Sequence, residues 1–397
     1  MPITTKSVCV IGAGAAGLAA ARHSLKAGLD VRIFEQTAQI GGTWVYSEEK
    51  GCHSSMYYEM KTNLPKEVMA YRDFPFDSSL PSFLDHRDVL EYLQKYSDGL
   101  SIDFNTTVES VTRIEEEEKW KIIVQNGLGT FDYYFDIVFV CNGHYFRPNN
   151  PYENSEFEGN LIHSHDYRHA EEFSNQKVII IGAGPSGIDI GLQIAKTAKE
   201  IHLISKKAVY NSLPENIQQT SEHVEKVTKS GVKTVSGQEF EADSIIVCTG
   251  YHYQFPFFDS TVVRLLEDAH VVSPIFEHVV HVDYPKSLFF IGLNLEKAEI
   301  PAREELEGYE ERQMSHQSSR GLAKRFYHLL QHDQWSYLDR ISKLGQFESW
   351  KYMKTIEKIT EYLQDRRKLD VKNYKMINFR FLDEEQLEYE IIEEENQ

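Results

Sequence analysis

The feature that most constrains this chain is a strand, glycine turn and helix plan that occurs twice. Val8-Cys9-Val10-Ile11 is a continuous apolar strand, and Gly12-Ala13-Gly14-Ala15-Ala16-Gly17 follows it as GxGxxG. An alanine-rich stretch, Leu18 to Ala27, then reads as a helix that Gly28 stops, and Val31-Arg32-Ile33-Phe34 as a second strand ending in Glu35. The later copy has Val178-Ile179-Ile180-Ile181, then Gly182-Ala183-Gly184-Pro185-Ser186-Gly187, a helix to about Ala198 and a strand from Ile201 to Ile204. Glycines at these spacings let the backbone approach a pyrophosphate, which sits at the positive end of the helix. An acidic residue about 20 positions further on accepts hydrogen bonds from a ribose, and Glu35 takes that place in the first copy. The second copy instead has Ser205-Lys206-Lys207, a hydroxyl and two cations suited to a 2′-phosphate, so NADP is expected over NAD. The plainer reading is that both lysines are solvated at a strand end. Two unlike dinucleotide sites on one chain point to a flavoprotein reduced by a nicotinamide cofactor.

The copies also close alike. Phe135 to Gly143 and Ala242 to Gly250 are apolar strands ending in Cys-x-Gly, each preceded by hairpin signals: Asn126-Gly127 in one, Ser230-Gly231 and Ser236-Gly237 in the other. The first copy is 63 residues longer, with most of the excess between Ile40 and Asn105, where site-building residues are expected. The fold class expected is α/β with two doubly wound, Rossmann-like dinucleotide-binding domains, the NADP domain inserted in the FAD domain. Residues 1–168 would begin the FAD domain, 169–279 would form the NADP domain, and 280–397 would return to the FAD domain and end in helices. Leu288 to Gly292 reads as a further strand, Arg303 to Leu369 as mostly helical, Glu115 to Glu118 as a hairpin edge and Glu384 to Gln397 as a solvated acidic end.

A net charge of −19 on 397 residues would repel a phosphate backbone, and Lys206-Lys207 and Arg366-Arg367-Lys368 are too short to offset it, which excludes nucleic-acid binding. No apolar run approaches the ~18 residues of a membrane span. The N-terminus lacks a signal-like apolar segment, so the chain is expected to be soluble, cytoplasmic as it stands or secreted if a leader was removed. Cys9, Cys52, Cys141 and Cys248 form no CxxC pair and suggest no disulfide framework, which argues against a disulfide reductase. His163, His165 and His169 match no common zinc spacing, and no metal is expected.

What the segment Phe157 to Tyr167 does match is FxGxxxHxxxY just before the second GxGxxG. With it stand Gly41-Gly42-Thr43-Trp44, Thr62-Asn63-Leu64-Pro65-Lys66-Glu67, Asp73-Phe74-Pro75-Phe76, Thr249-Gly250-Tyr251, and Phe290-Ile291-Gly292 with Pro301 and Glu304 beyond. By this combination the chain resembles the flavin-containing monooxygenases, class B flavoproteins, over most of its length. Membrane-bound members end in a hydrophobic tail; this chain ends acidic and resembles the soluble members, among them insect pyrrolizidine-alkaloid N-oxygenases.

The resemblance implies FAD and NADPH as cofactors, a C4a-hydroperoxyflavin, and oxygen transfer to a soft nitrogen or sulfur of a small molecule. N-oxygenation of a tertiary amine, with pyrrolizidine alkaloids in view, is the leading expectation. S-oxygenation and Baeyer–Villiger oxygenation are the alternatives, and a flavin- and NADP-binding sensor without turnover is the non-enzymatic one. Asn63 matches the family asparagine that hydrogen-bonds the peroxide; its other reading is a helix start, with Pro65 in the first turn. The expected cofactor-binding set is Gly12, Gly14, Gly17, Glu35, Gly42, Thr43, Trp44, Thr62, Gly182, Gly184, Pro185, Ser186, Gly187, Ser205, Lys206, Lys207, Thr249, Gly250 and Gly292. His163 and Tyr167 are expected to anchor the linker between the nucleotide domains, and His144 to pack behind the flavin. Trp44, Tyr57 and Tyr58 could shelter a cationic amine or equally be core. Nothing in the sequence sets an oligomeric state.

Overall fold

A computed structural model describes residues 5–206, 210–291, 315, 335–339, 353–383 and 386–393. Two compact units emerge, one made of Met1–Trp44, Leu90–Arg147 and His252–Ser349, the other of Val45–Val89, Pro148–Tyr251 and Trp350–Gln397. Each GxGxxG copy follows a strand that pairs in parallel with both of its neighbours, one copy per unit.

In the first unit Ser7–Ile11 lies between Asp30–Phe34 and Ile137–Val140, parallel to both, with Val10 opposite Ile33 and Phe139. The sheet continues on one side through Leu288–Phe290, Val280–His281 and Ile275–Phe276, and on the other to Ile102–Asp103. Strands flanked on both sides and covered on both faces must be apolar throughout, which is why Val8, Cys9 and Val10 are fully buried without alternation. An antiparallel three-stranded sheet, Thr107–Ile114, Lys119–Asn126 and Gly129–Phe135, packs the fully buried Trp120 edge-on against Tyr284 at 4.9 Å. Asn126 pairs with Gly129, and the Asn126 side chain accepts the Leu128 N–H at 2.9 Å, the tight turn its Asn-Gly signal predicts. Glu115–Glu117 form a 3₁₀ turn at the other hairpin edge, with Glu118 left-handed.

In the second unit five strands run parallel in the order Ile217–Thr220, Glu200–Ile204, Lys177–Ile181, Ser244–Val247, Asn160–His163. Ile180, Ile190, Phe173 and Tyr167 form its fully buried centre. A second core gathers Phe83, Tyr374 and Phe379 with Ile359 of the helix Met353–Leu369. Within the expected solvated acidic end, Tyr389–Glu393 forms a strand that pairs antiparallel with Ile377–Phe381, with Ile391 and Ile392 exposed. Among the described residues, no helix is long and apolar enough to cross a membrane. Gly292, Pro301, Glu304 and most of the expected helical stretch from Arg303 lie outside the described residues, as does Lys207.

Candidate functional site

Both glycine loops are built to one pattern. Gly12 has φ +101°, and a Cβ there would lie 2.6 Å from the Cys141 carbonyl; Gly182 has φ +105°, and its Cβ would lie 2.5 Å from the Cys248 carbonyl. A Cβ on Gly17 would collide with the carbonyl of Gly12, and one on Gly187 with that of Gly182. The middle glycines differ in kind. At Gly14 a Cβ meets only Gly42, at 3.6 Å, and at Gly184 it meets nothing within 4 Å. The outer glycines thus close the strand–helix turn, while the middle one keeps a surface bare.

The helices behind these loops, Ala15–Lys26 and Pro185–Ile194, begin at Gly14 and Gly184 with no side-chain cap and no acidic residue in the first turn. A helix N-terminus whose N-cap is a glycine, with no carboxylate in its first turn, fits an anionic diphosphate. Gly42, with φ +56°, places its Cα against Gly14, and the Gly41 N–H donates to Ala13 at 3.0 Å, so the Gly41-Gly42 pair forms the far wall of the first loop. Thr43 and Trp44 follow in a 3₁₀ turn, both half-buried.

Glu35 is buried, and its carboxylate accepts the Ala13 N–H at 2.7 Å and the backbone and hydroxyl of Thr37 at 2.8 Å each. It therefore braces the first glycine loop itself. In the second copy that bracing comes from Tyr210, whose hydroxyl donates to the Ala183 carbonyl at 2.9 Å. Nothing in the sequence pattern marked Tyr210. Ser205 lies at the strand end with its N–H on Thr220, and Lys206 beside it is exposed. The Thr249 hydroxyl donates to the Asn149 carbonyl and Gly250 has φ +85°, so both shape the loop that follows Cys248.

Asn63 is half-buried and does not cap a helix. The short helix Lys66–Met69 starts from Pro65 with no side-chain cap, while Asn63 Oδ1 accepts from the Tyr374 hydroxyl at 3.4 Å. An amide held by its oxygen presents its NH₂ group on the other side. Thr62 is buried and its hydroxyl accepts the Leu84 N–H at 3.0 Å, a structural contact. Lys66 turns inward, its ammonium on the carbonyls of Asp77, Ser78 and Leu80, and burial draws its pKa below the usual lysine value.

Next to Tyr374, Lys375 donates to Asp189 Oδ1 at 2.7 Å and to the Lys61 carbonyl at 3.0 Å. Asp189 lies on the helix of the second glycine loop and also accepts the Tyr57 hydroxyl at 2.5 Å. Tyr374 and Lys375 therefore tie the Asn63 segment to that helix. Burial lowers the Lys375 pKa, and Asp189 opposes the shift. Tyr57 is thus core, whereas Tyr58 is exposed, 5.8 Å from Tyr46 and 5.2 Å from His169.

The fingerprint before the second loop is an anchor. Tyr167 is fully buried, its hydroxyl on Gln193 Oε1 at 3.1 Å; His163 Nδ1 accepts the His165 N–H at 3.1 Å. A Cβ on Gly159 would collide with the Asp243 carbonyl. Arg168, fully buried, donates to the carbonyls of Ser47, Glu49, Ser54, His165 and Tyr167, holding the loop 47–54 in shape. The His144 ring lies 4.2 Å from that of Tyr145, tilted by 54°, and 5.4 Å from that of Tyr253, its pKa lowered by burial.

Comparison with known proteins agrees with this geometry. Residues 5–212 match the family model described as flavin-binding monooxygenase-like. The chain is 37% identical over 323 residues to flavin-containing monooxygenase FMO GS-OX5 of Arabidopsis thaliana, covering 73% of this chain and 70% of that one. It is 33% identical to FMO GS-OX4 of the same plant over 396 residues, 87% and 86% of the two chains. Among solved structures, S-allyl-L-cysteine S-oxygenase from Allium sativum superposes with a TM-score of 0.83 at 28% identity, over 94% of this chain and 96% of that one. Tmm from Pelagibacter sp. strain HTCC7211 gives 0.78 at 25% identity, over 93% of each.

Proposed function

The chain belongs to the flavin-containing monooxygenases, with FAD and NADPH as cofactors, and on that premise we propose that it transfers one oxygen atom of O₂ to a soft heteroatom of a small molecule. Sulfide sulfur is the first substrate class. The observation that carries it is the likeness to an S-oxygenase over 94% of the chain.

The bound flavin, once reduced by NADPH, supplies the oxygen activation. The residues supply placement. The loop of Gly12, Gly14 and Gly17, braced by Glu35 and walled by Gly42, would hold the FAD diphosphate; the loop of Gly182, Gly184 and Gly187 with Ser205 and Lys206 would hold NADPH. Glu35 keeps lone pairs beyond its bonds to Ala13 and Thr37 with which to meet a ribose. Asn63, its oxygen fixed by Tyr374, would direct its amide N–H groups at the oxygen being transferred. The reaction balances as substrate, NADPH, H⁺ and O₂ giving oxide, NADP⁺ and water.

A tertiary amine is the second substrate class. Tyr46 and Tyr58, with Glu48 at 2.9 Å from His169, form a partly exposed aromatic group beside a carboxylate, suited to a cationic amine. The test offers equimolar thioether, tertiary amine (a pyrrolizidine alkaloid included) and cyclic ketone under ¹⁸O₂ and quantifies each labelled product. Sulfoxide in excess is expected. N-oxide in excess would move the assignment to amines, ester from the ketone would move it to ketone insertion, and NADPH oxidation without any labelled product would overturn oxygenation. Asn63→Ala should divert NADPH oxidation to hydrogen peroxide with flavin binding retained.

A further inference from the structure

We propose that His252, Asp268 and His270, in the unit that carries the first glycine loop, form a binding site for a divalent transition-metal ion, with Zn²⁺ as its representative. One ring nitrogen from each histidine and one carboxylate oxygen of Asp268 lie mutually within 4.8 Å, close enough for one ion to draw all three into its coordination shell. Eighteen positions separate the histidines, so no sequence spacing signals the site.

The backbone fixes the ring chemistry. His252 Nδ1 lies 2.6 Å from the Asp268 carbonyl and His270 Nδ1 lies 3.0 Å from the Glu267 carbonyl. A carbonyl oxygen only accepts, so both Nδ1 atoms carry the hydrogen. This is the arrangement by which an outer carbonyl orients a ligating imidazole. The rings lie 4.7 Å apart at 61°.

The scaffold supports the same reading. Arg264–Leu266 and Val271–Ser273 form a hairpin whose turn has Glu267, Asp268 and Ala269 all left-handed, at φ 50°, 54° and 59°. That turn brings Asp268 and His270 to one side, and the Tyr253 N–H donates to the Ala269 carbonyl at 2.8 Å, fastening the neighbouring His252 beside them. Two imidazoles with one carboxylate suit Zn²⁺ and its neighbours in softness; Mg²⁺ and Ca²⁺ prefer all-oxygen shells. Three protein ligands leave a fourth position for water or an exogenous donor.

The test titrates the FAD-loaded protein with Zn²⁺ by calorimetry, alone and against excess Mg²⁺ or Ca²⁺. One equivalent per chain is expected, not displaced by either ion. His252→Ala and His270→Ala should each weaken that site on the order of 100-fold, and Asp268→Asn at least about tenfold, with flavin absorbance unchanged. No saturable site in the wild type, or a site that survives in the His252→Ala/His270→Ala double variant, would overturn the proposal. X-ray absorption at the zinc edge on the wild type with one equivalent of Zn²⁺ needs no variant. It should show scattering from two imidazoles, and its absence would count equally against the site.

Discussion

The hydroxyl of Tyr374 donates to Oδ1 of Asn63 at 3.4 Å across 311 positions of sequence. Burial holds the phenol pKa well above its ordinary value, so it remains a donor at any working pH. The bond chooses which end of the amide faces away from Tyr374, and only the NH₂ end can donate to a transferred oxygen. Tyr374→Phe keeps the ring in its core with Phe83 and removes only that choice. The variant should bind FAD and oxidise NADPH as before, while oxygenated product per NADPH falls up to about tenfold, in line with one hydrogen bond of about 1 kcal/mol. Unchanged product per NADPH, with peroxide at the wild-type level, would refute the positioning role.

Lys375 and Asp189 form an ion pair whose side chains are 14% and 12% exposed, with Tyr57 sharing the carboxylate. Removing one partner of such a pair leaves a poorly solvated charge, which costs about 3–5 kcal/mol. Asp189→Asn alone should lower the urea midpoint sharply with the slope unchanged. The double variant Asp189→Asn/Lys375→Met should recover much of the loss, since no unpaired charge remains. Additive losses in the double variant would show that the two residues do not act as a pair.

Much of this was legible in the sequence because it depends on local rules. Period-free apolar strands, GxGxxG and Cys-x-Gly are short-range requirements of a parallel sheet, and they located both loops; the Gly41-Gly42 pair entered only through the family resemblance. The alternative reading of Asn63 as a helix start falls, because Pro65 itself occupies the position before the helix Lys66–Met69. Tyr210, Tyr374, Lys375 and Arg168 were silent for a different reason. Each acts on backbone or side chains brought near only by folding, and a tyrosine or lysine carries no local signature of its partner.

The glycines of the first loop are separable by experiment. Gly17→Ala must push a methyl into the Gly12 carbonyl, so the variant should fold poorly or lose FAD together with stability. Gly14→Ala makes an ordinary 3.6 Å contact with Gly42 and needs no strained φ. Its apoprotein should melt close to wild type, while FAD affinity drops at least about tenfold because the methyl occupies the surface meant for phosphate. Equal flavin affinity in Gly14→Ala would show that the diphosphate lies elsewhere.

Lys206 is exposed at the end of Glu200–Ile204. If it reads a 2′-phosphate, Lys206→Ala should raise the KM for NADPH by a few-fold, the scale of a solvent-screened charge contact, and leave that for NADH unchanged. Parallel increases for both cofactors would assign the lysine to the solvated strand end instead.

His163 gives the fold a pH dependence with a definite sign. Burial in the strand Asn160–His163 pushes its pKa from the ordinary 6.5 down to about 4. The folded state therefore keeps the ring neutral where the unfolded chain already takes up a proton. Above pH 6.5 neither state is protonated and the contribution is intact. As pH falls from 6.5 towards 4 the unfolded state binds the extra proton and stability is lost, on the order of 3 kcal/mol over that window. His86 and His281, also lowered by burial, add slope in the same direction. His163→Asn keeps an acceptor for the His165 N–H but cannot titrate. Urea midpoints measured at half-unit steps from pH 4.5 to 7.5 should show a shallower acid limb for this variant, by about one proton of uptake. Superimposable limbs for the two proteins would show that His163 is already protonated in the folded state or is not buried in solution.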